Sequence, residues 1–343
     1  MNQPTDLLRA SVIIPAYNAE LTIGRCLDAL IRQSIPPESY EIIVIDDASS
    51  DSTTSVASTY AVRVIGQTHA GPAAARNLGA QVARGPILLF TDADCVPTPD
   101  WIEAMLRPFD NPQVVGVKGA YRTNQRALVA RFVQLEFTEK YRRMAKREFV
   151  DFIDTYSAAY RRSVFIDNGG FDTLFTVPSA EDQELAFRLA EQGCKLAFAP
   201  DAIVYHTHPD TWQWYFNRKV RFGFWQTINR WKHPKKILRD SYTPESQKIQ
   251  LALVALLLPV TLAAFFDARW WLGDVALIVA FKLSLLPFVR LTLELDPPVV
   301  PIAPAMLALR AVGVLAGLAA GSVSFTYKWL TQRRMAGTQT LPK

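Results

Sequence analysis

Thr91-Asp92-Ala93-Asp94 places two carboxylates two residues apart, directly after the apolar run Pro86-Ile87-Leu88-Leu89-Phe90. Oxygen ligands at this spacing suit a hard divalent cation, Mg2+ or Mn2+, that keeps part of its water shell. A second acidic pair, Glu181-Asp182, opens an amphipathic pattern that continues to Leu189. A carboxylate there can act as a general base toward a hydroxyl within hydrogen-bond reach. Helix N-termini also favour acids, so simple capping fits the same residues. His206-Thr207-His208-Pro209 follows a short strand pattern, Ala202–Tyr205. Its histidines suit either a metal or phosphate contact or a structural role.

The elements that must hold these groups are legible as apolar runs. Strands are expected at 11–15, 41–46 and 86–90, each ending in a polar loop: Pro15-Ala16-Tyr17-Asn18, Asp46-Asp47-Ala48-Ser49 and Thr91–Asp94. Open α/β sheets place ligands at such carboxyl ends. Between them the pattern predicts helices near Thr22–Gln33 and up to Tyr60, a short strand Val62–Ile65, and a loop His69–Gly79 entering an Ala-rich helix. This alternation argues for a mostly parallel sheet with helices on both faces. Residues 113–175 are less regular. Val129–Val150 reads as a long helix with Arg142, Arg143, Lys146 and Arg147, which suits an anionic membrane surface or a solvated face equally. No Gly-x-Gly-x-x-Gly follows the first strand and no Walker lysine motif occurs, which disfavours dinucleotide and P-loop enzymes. Cys26, Cys95 and Cys194 have no metal-binding spacing and read as reduced thiols. The polar stretch Met1–Ala10 has no apolar core of a cleaved signal peptide.

The 343-residue chain carries a net charge of +5, but its last third is apolar. Ile249–Phe266 contains no charge, Trp270–Val289 contains Asp274 and Lys282, and Val299–Phe325 contains only Arg310. Stretches of this length suit membrane spans, with Trp270-Trp271 and Tyr327/Trp329 as interfacial anchors. A buried helical hairpin is the alternative. Lys232, Lys235, Lys236, Arg239 and Lys248 precede the first stretch, which places the N-terminal part in the cytoplasm and Asp267-Ala268-Arg269 outside. Three full spans would put Lys328, Arg333, Arg334 and Lys343 outside, against the same rule, so a re-entrant or interfacial segment stays open. Gly313, Gly317 and Gly321 make one smooth helix face, suited to close helix packing or simply reflecting small-residue composition.

Four segments in order carry a resemblance: Ser11-Val12-Ile13-Ile14-Pro15-Ala16-Tyr17-Asn18, Ile45-Asp46-Asp47-Ala48-Ser49-Ser50-Asp51-Ser52-Thr53, Thr91-Asp92-Ala93-Asp94, and Glu181-Asp182. Together, over roughly residues 9–225, they resemble the inverting glycosyltransferases of family 2, whose fold is GT-A, a Rossmann-like, mostly parallel sheet with flanking helices. The resemblance implies the following roles. Pro15, Ala16 and Tyr17 would line a nucleotide pocket, with Tyr17 against the base. Asp46 or Asp47 would accept a hydrogen bond from that base, and Arg76, Asp92 and Ala93 would also contact the nucleotide. Asp92 and Asp94 would hold Mg2+ or Mn2+, with Asp94 the preferred direct ligand. Asp182 would be the catalytic base, with Glu181 beside it. Asn217–Gly223 sits where processive members carry Gln-x-x-Arg-Trp, but here that motif is degenerate. Arg218 or Arg221 would reach the diphosphate, or the segment would be an interfacial amphipathic helix.

The expected organisation is a cytoplasmic GT-A domain over 1–230, divided into a nucleotide half (9–112) and an acceptor half (113–230). A basic linker follows at 231–248, then two or three transmembrane helices over 249–330 and a polar tail at 331–343. The expected enzyme is a multi-pass protein of the inner cell membrane. It would use a nucleoside-diphosphate sugar and a membrane lipid or lipid-linked acceptor, for cell-envelope glycan or glycolipid synthesis. The lipid bilayer is an expected partner, a homo-oligomer through the membrane helices is possible, and nucleic acid is not expected. The alternatives are a processive polysaccharide synthase and an inactive scaffold of the same fold.

Overall fold

The computed structural model describes residues 8–175, 180–236 and 240–337, with 326–337 as backbone only. Expectations attached to Met1–Leu7, Arg239, Lys343 and the side chains of Tyr327, Lys328, Trp329, Arg333 and Arg334 lie outside what it describes. The chain falls into two compact units, Met1–His208 with Arg239–Tyr242, and Pro209–Leu238 with Thr243–Lys343.

Among the described residues the first unit has eight strands: β1 (Ala10–Ala16), β2 (Tyr40–Asp46), β3 (Arg63–Gly66), β4 (Ile87–Phe90), β5 (Val96–Pro97), β6 (Val114–Arg122), β7 (Ala158–Arg161) and β8 (Lys195–Tyr205). Their order across the sheet is β3-β2-β1-β4-β7-β6-β8-β5. Pairings of β1 with β2 and β4, of β2 with β3, and of β6 with β8 are parallel. β7 runs antiparallel to both neighbours, and β5 runs antiparallel to β8. The strands over residues 10–90 therefore form the parallel α/β sheet expected, and the antiparallel strands, β5 among them, enter after β4. β1, β2 and β4 are buried along nearly their whole length, as continuous apolar runs require in a sheet covered on both faces.

Pro15 would ordinarily disrupt a central strand, because it has no N–H to give the ladder. Here the β1–β4 pairing stops at Ile13 opposite Phe90, so the proline lies past the end of β4. The sheet opens at that point, and the loops after β1, β2 and β4 share the opening. The helix Pro72–Val82 lies close against β1 and β2: a Cβ on Gly79 would overlap the side chain of Ile13. The core behind these loops includes Ile13, Ile43, Ile45, Leu88, Phe90, Tyr160, Phe165, Phe171, Leu185 and Leu189. Each such side chain contributes about 1.5–3 kcal/mol by leaving water.

Two elements differ from expectation. The helix expected at Val129–Val150 runs Leu128–Met144, and Val150 instead bridges Leu196. Arg142 and Arg143 thus fall in its last turn, where cations suit the helix dipole, and Arg143 donates to the Asp240 carbonyl. β8 begins well before Ala202, because a register shift opposite Lys118–Ala120 accommodates Pro200 within the strand.

In the second unit the helix Trp212–Lys232, read from sequence as part of the catalytic domain, packs along the helix Ala303–Gly337. The glycine stripe explains this contact. A Cβ on Gly317 would overlap the Val220 carbonyl, one on Gly223 would overlap the Val314 carbonyl, and one on Gly321 would stand 2.6 Å from the Phe224 carbonyl. The stripe expected to permit self-association is thereby covered by the chain's own helix. Among the described residues three stretches are long and apolar enough to cross a membrane: Glu245–Ala264, Ala268–Leu295 and Ala303–Phe325. The second is interrupted at Leu285, between helices Trp271–Ser284 and Leu286–Leu295. Pro287 there removes a helical N–H. Two charged residues inside these stretches tie helices together. Asp274 accepts from Thr261 at 3.0 Å, and Arg310, buried, donates to Gln250 Oε1 at 2.6 Å.

Candidate active site

The loops after β1 and β2 lock each other in place. Asn18 adopts a left-handed backbone (φ 48°), and its side-chain oxygen accepts the Ser50 N–H at 2.9 Å. Ala48 is also left-handed (φ 62°), an uncommon conformation for a residue with a Cβ. Cross-loop bonds from Ala19 N to Thr53 Oγ1, Glu20 N to Asp51 Oδ2 and Ser52 N to Glu20 Oε2 (2.7, 3.1 and 2.9 Å) hold that geometry. Backbone strain of this kind persists only where its surroundings over-determine it.

Asp46 and Asp47, alike in sequence, do different work. Asp47 accepts from Gln67 Nε2, Ala70 N and Gly71 N at 2.6, 2.8 and 2.9 Å and pairs with His69 at 3.1 Å. Its acceptor sites are taken by the loop that enters the helix Pro72–Val82. Among the described residues the Asp46 carboxylate receives only long contacts from Ser49 N, at 3.3 and 3.4 Å, so it keeps acceptor capacity. Pro15 is half-buried and Ala16 buried, while Tyr17 is exposed and packs on His69 with ring centroids 4.5 Å apart. His69 carried no assigned role in the sequence, where it was one polar residue in a loop.

After β4, Asp92 and Asp94 part company. Asp92 Oδ1 takes the Arg76 guanidinium at 2.6 Å. Asp94 Oδ2 meets His206 Nε2 at 3.1 Å, and the other ring nitrogen of His206 is buried without a partner. Ligand atoms of Asp94, Cys95 and His206 lie within 4.8 Å of one another. Burial, aided by Asp92 and Asp94, pushes the Cys95 thiol well above its ordinary range. Burial opposes the charge on Asp94, but His206, by hydrogen bond and charge, outweighs it and holds the carboxyl below its ordinary value. Among the described residues Asp94 and His206 offer a donor pair that fits a divalent cation, an oxygen and a nitrogen facing each other at an exposed edge. Ala93 is buried between the two acids.

Arg76 was expected on the nucleotide. In the structure its side chain is 2% exposed and bridges Asp92 to Glu181, which it meets at 3.1 Å. The arginine thereby joins the end of β4 to the start of the helix Glu181–Glu191. Glu181 is buried in this pairing, while Asp182 is half-buried and has no ion pair among the described residues. Asp182 accepts from Gln183 N at 2.7 Å and from Thr155 N at 3.3 Å. Burial, with like charge from Glu181 and Asp154, pushes its carboxyl well above the usual carboxylate range. A half-buried carboxylate of raised basicity suits proton abstraction. Arg218 and Arg221 lie exposed on the helix Trp212–Lys232 of the second unit.

Comparison with known proteins follows the same lines. Residues 11–169 match the family model described as glycosyl transferase family 2. The chain is 30% identical over 235 residues to a probable glycosyltransferase of Bacillus subtilis, covering 64% of this chain and 55% of that protein. It is 28% identical over 236 residues to the pre-mycofactocin glycosyltransferase of Mycobacterium tuberculosis, covering 66% and 48%. The chain therefore spans about half the length of these curated relatives. Among solved structures, a mannosyltransferase of Pyrobaculum calidifontis in complex with GDP-Man and Mn2+ shares the fold. Its TM-score is 0.59 at 21% identity, over 93% of this chain and 88% of that one.

Proposed function

We propose that this chain, which belongs to glycosyl transferase family 2 through residues 11–169, moves one sugar from a nucleoside diphosphate to a hydroxyl of a membrane-associated acceptor, with inversion. The observation that carries the reading is the division of charge in the first unit. Asp94 and His206 offer cation ligands after β4 and β8, while Asp182, of raised basicity and without an ion pair among the described residues, opens the helix that Arg76 joins to the end of β4.

Tyr17, supported by His69, would back the nucleobase, and Asp46 would accept its hydrogen bond, since Asp47 is saturated by its own loop. Asp94 and His206 would hold Mg2+ or Mn2+, which supplies charge neutralisation to the departing diphosphate. Asp182 would take the proton of the acceptor hydroxyl as its oxygen attacks the anomeric carbon. The bond to the diphosphate breaks on the opposite face, and the configuration inverts in that single displacement. Arg76 would keep Asp92 and Glu181 in register and compensate their charge. An acceptor embedded in or bound to the inner membrane accounts for fusing such a domain to three apolar helices. The basic residues Lys232, Lys235 and Lys236 before the first of them argue for a cytoplasmic catalytic unit.

The test uses the full chain in detergent, Mn2+, and a panel of nucleoside-diphosphate sugars, read by thermal shift and by nucleoside diphosphate release with a membrane lipid extract. A donor at 100 times its dissociation constant adds about 2.7 kcal/mol to stability. One or more donors should stabilise the protein and be consumed only when lipid is supplied. No stabilisation by any donor would sink the reading.

A further inference from the structure

Behind Asp182 the first unit buries charges that the transfer chemistry does not use. Lys118 on β6 is fully buried and its ammonium pairs with Asp154. The second oxygen of Asp154 accepts the Tyr156 hydroxyl. The same ammonium stands 5.1, 5.4 and 5.6 Å from the ring centroids of Tyr156, Tyr141 and Phe152. It is caged by one carboxylate and three aromatic faces. A buried ion pair of this kind seldom adds stability, because desolvating both charges offsets their attraction; an apolar pair of equal volume commonly does as well.

What lies next to the pair gives it a purpose. Thr155 follows Asp154 in the chain, and its N–H donates to Asp182 Oδ2 at 3.3 Å. The carboxylate proposed as base is thus held by the backbone adjoining the buried acid. The charges around Asp182 are Glu181, which is tied to Arg76, and Asp154, which is tied to Lys118 and also feels Lys140. The nearby phenols Tyr160 and Tyr242 are pushed upward by burial and stay neutral. Each buried cation is paired with another carboxylate, so Asp182 sits in an acidic field that Lys118 and Arg76 partly offset.

We propose that the Lys118–Asp154 pair is a positioning device for Asp182, fixing the Thr155 N–H that orients the base and setting the local charge that decides the pH at which it accepts a proton. The inference rests on Asp182 being the base. Neither residue touches donor or acceptor. They act through Thr155 and through the field at Asp182, and burial weakens the charge of both partners, which keeps their balance sensitive to substitution.

The experiment measures kcat and KM against pH for the full chain in detergent, as wild type, Lys118→Met, Asp154→Asn and the charge-neutral double variant. Removing the positive charge should move the acid limb of kcat/KM to higher pH, and removing the negative charge should move it to lower pH, each by about one unit. The double variant should restore the limb while lowering kcat, and donor KM should change less than twofold throughout. Limbs that stay put, or that move the same way in both single variants, overturn the proposal, as does a kcat that merely follows Tm. If Lys118→Met fails to fold, Asp154→Asn and the double variant still decide the sign. Asp182→Asn separates the two readings: retained transfer there overturns the base itself. Abolished transfer with unmoved limbs overturns only the positioning role.

Discussion

Asp182 is the residue on which chemistry and stability pull in opposite directions. An acid raised in the folded state binds its proton more tightly there than in the unfolded chain. Its contribution to stability is therefore full below the ordinary carboxylate value and is lost as pH rises through the raised one. Asparagine cannot ionise, so Asp182→Asn should give a higher Tm than the parent at pH 7 while lowering transfer by about 10²–10⁴-fold. Equal Tm values across pH 4–8 would count against the raised carboxyl. On the cation side, Asp94→Ala and His206→Ala should each abolish the Mn2+-induced rise in Tm and leave the metal-free Tm nearly unchanged, since both side chains meet at a partly exposed edge. A Mn2+ shift that survives both changes would move the metal elsewhere. These acids were legible because they lie at the ends of apolar runs, where local order alone marks them. Arg76 was named as a nucleotide contact, but its pairing with Glu181 was not legible, since that residue is 105 positions away and only the fold brings them together. Lys118 was invisible for a related reason. A lysine in a strand pattern reads as solvent-facing, and its partner Asp154 comes from the irregular segment after the long helix.

At the scale of elements, the strands nearest the site were the easiest to read. β1, β2 and β4 are single apolar runs with polar ends, and the structure extends or trims each by one residue or two. The acceptor half was harder, because β7 is four residues long and Pro200 interrupts the apolar pattern of β8. The glycine stripe, left open in the sequence between a packing face and mere composition, packs on a helix that the sequence reading had assigned to another domain. That contact makes a sharp prediction. Gly317→Val would drive a side chain into the Val220 carbonyl, a backbone atom that cannot move aside cheaply. Overpacking costs about 1–3 kcal/mol even where side chains can adjust, so the variant should lose several degrees of Tm in detergent. Val312→Ala, on the same helix but 48% exposed, is the matched control and should change little. Equal Tm values for the two variants would mean the helices do not approach closely.

For the whole molecule, the decisive property is the apolar surface left uncovered. Only 17% of the most apolar window is buried in Glu245–Ala264, and 17% in Ala268–Leu295. Leu256, Leu258, Leu262, Phe265 and Phe266 are exposed on the first, and Leu272, Val275, Ile278, Val279 and Leu283 on the second. A water-soluble protein rarely leaves contiguous patches of more than a few hundred Å2, so exposed apolar faces of this kind suit contact with lipid. The buried hairpin weighed against membrane spans does not account for them, because its outer faces would have to be covered by protein. The chain should therefore stay in the membrane pellet through alkaline carbonate and be released only by detergent; release by carbonate would reduce it to a peripheral protein. Orientation follows from charge. Lys232, Lys235 and Lys236 should lie inside, which puts the turn Asp267-Ala268-Arg269 outside. Arg269 is 88% exposed on its side chain and among the described residues pairs only with Asp267, so a cysteine there disturbs little else. In whole cells, Arg269→Cys in a background lacking Cys26, Cys95 and Cys194 should react with a membrane-impermeant maleimide. Labelling only after the membrane is opened would invert the topology and place the catalytic unit, with its nucleotide-sugar chemistry, on the wrong side for a cytoplasmic donor.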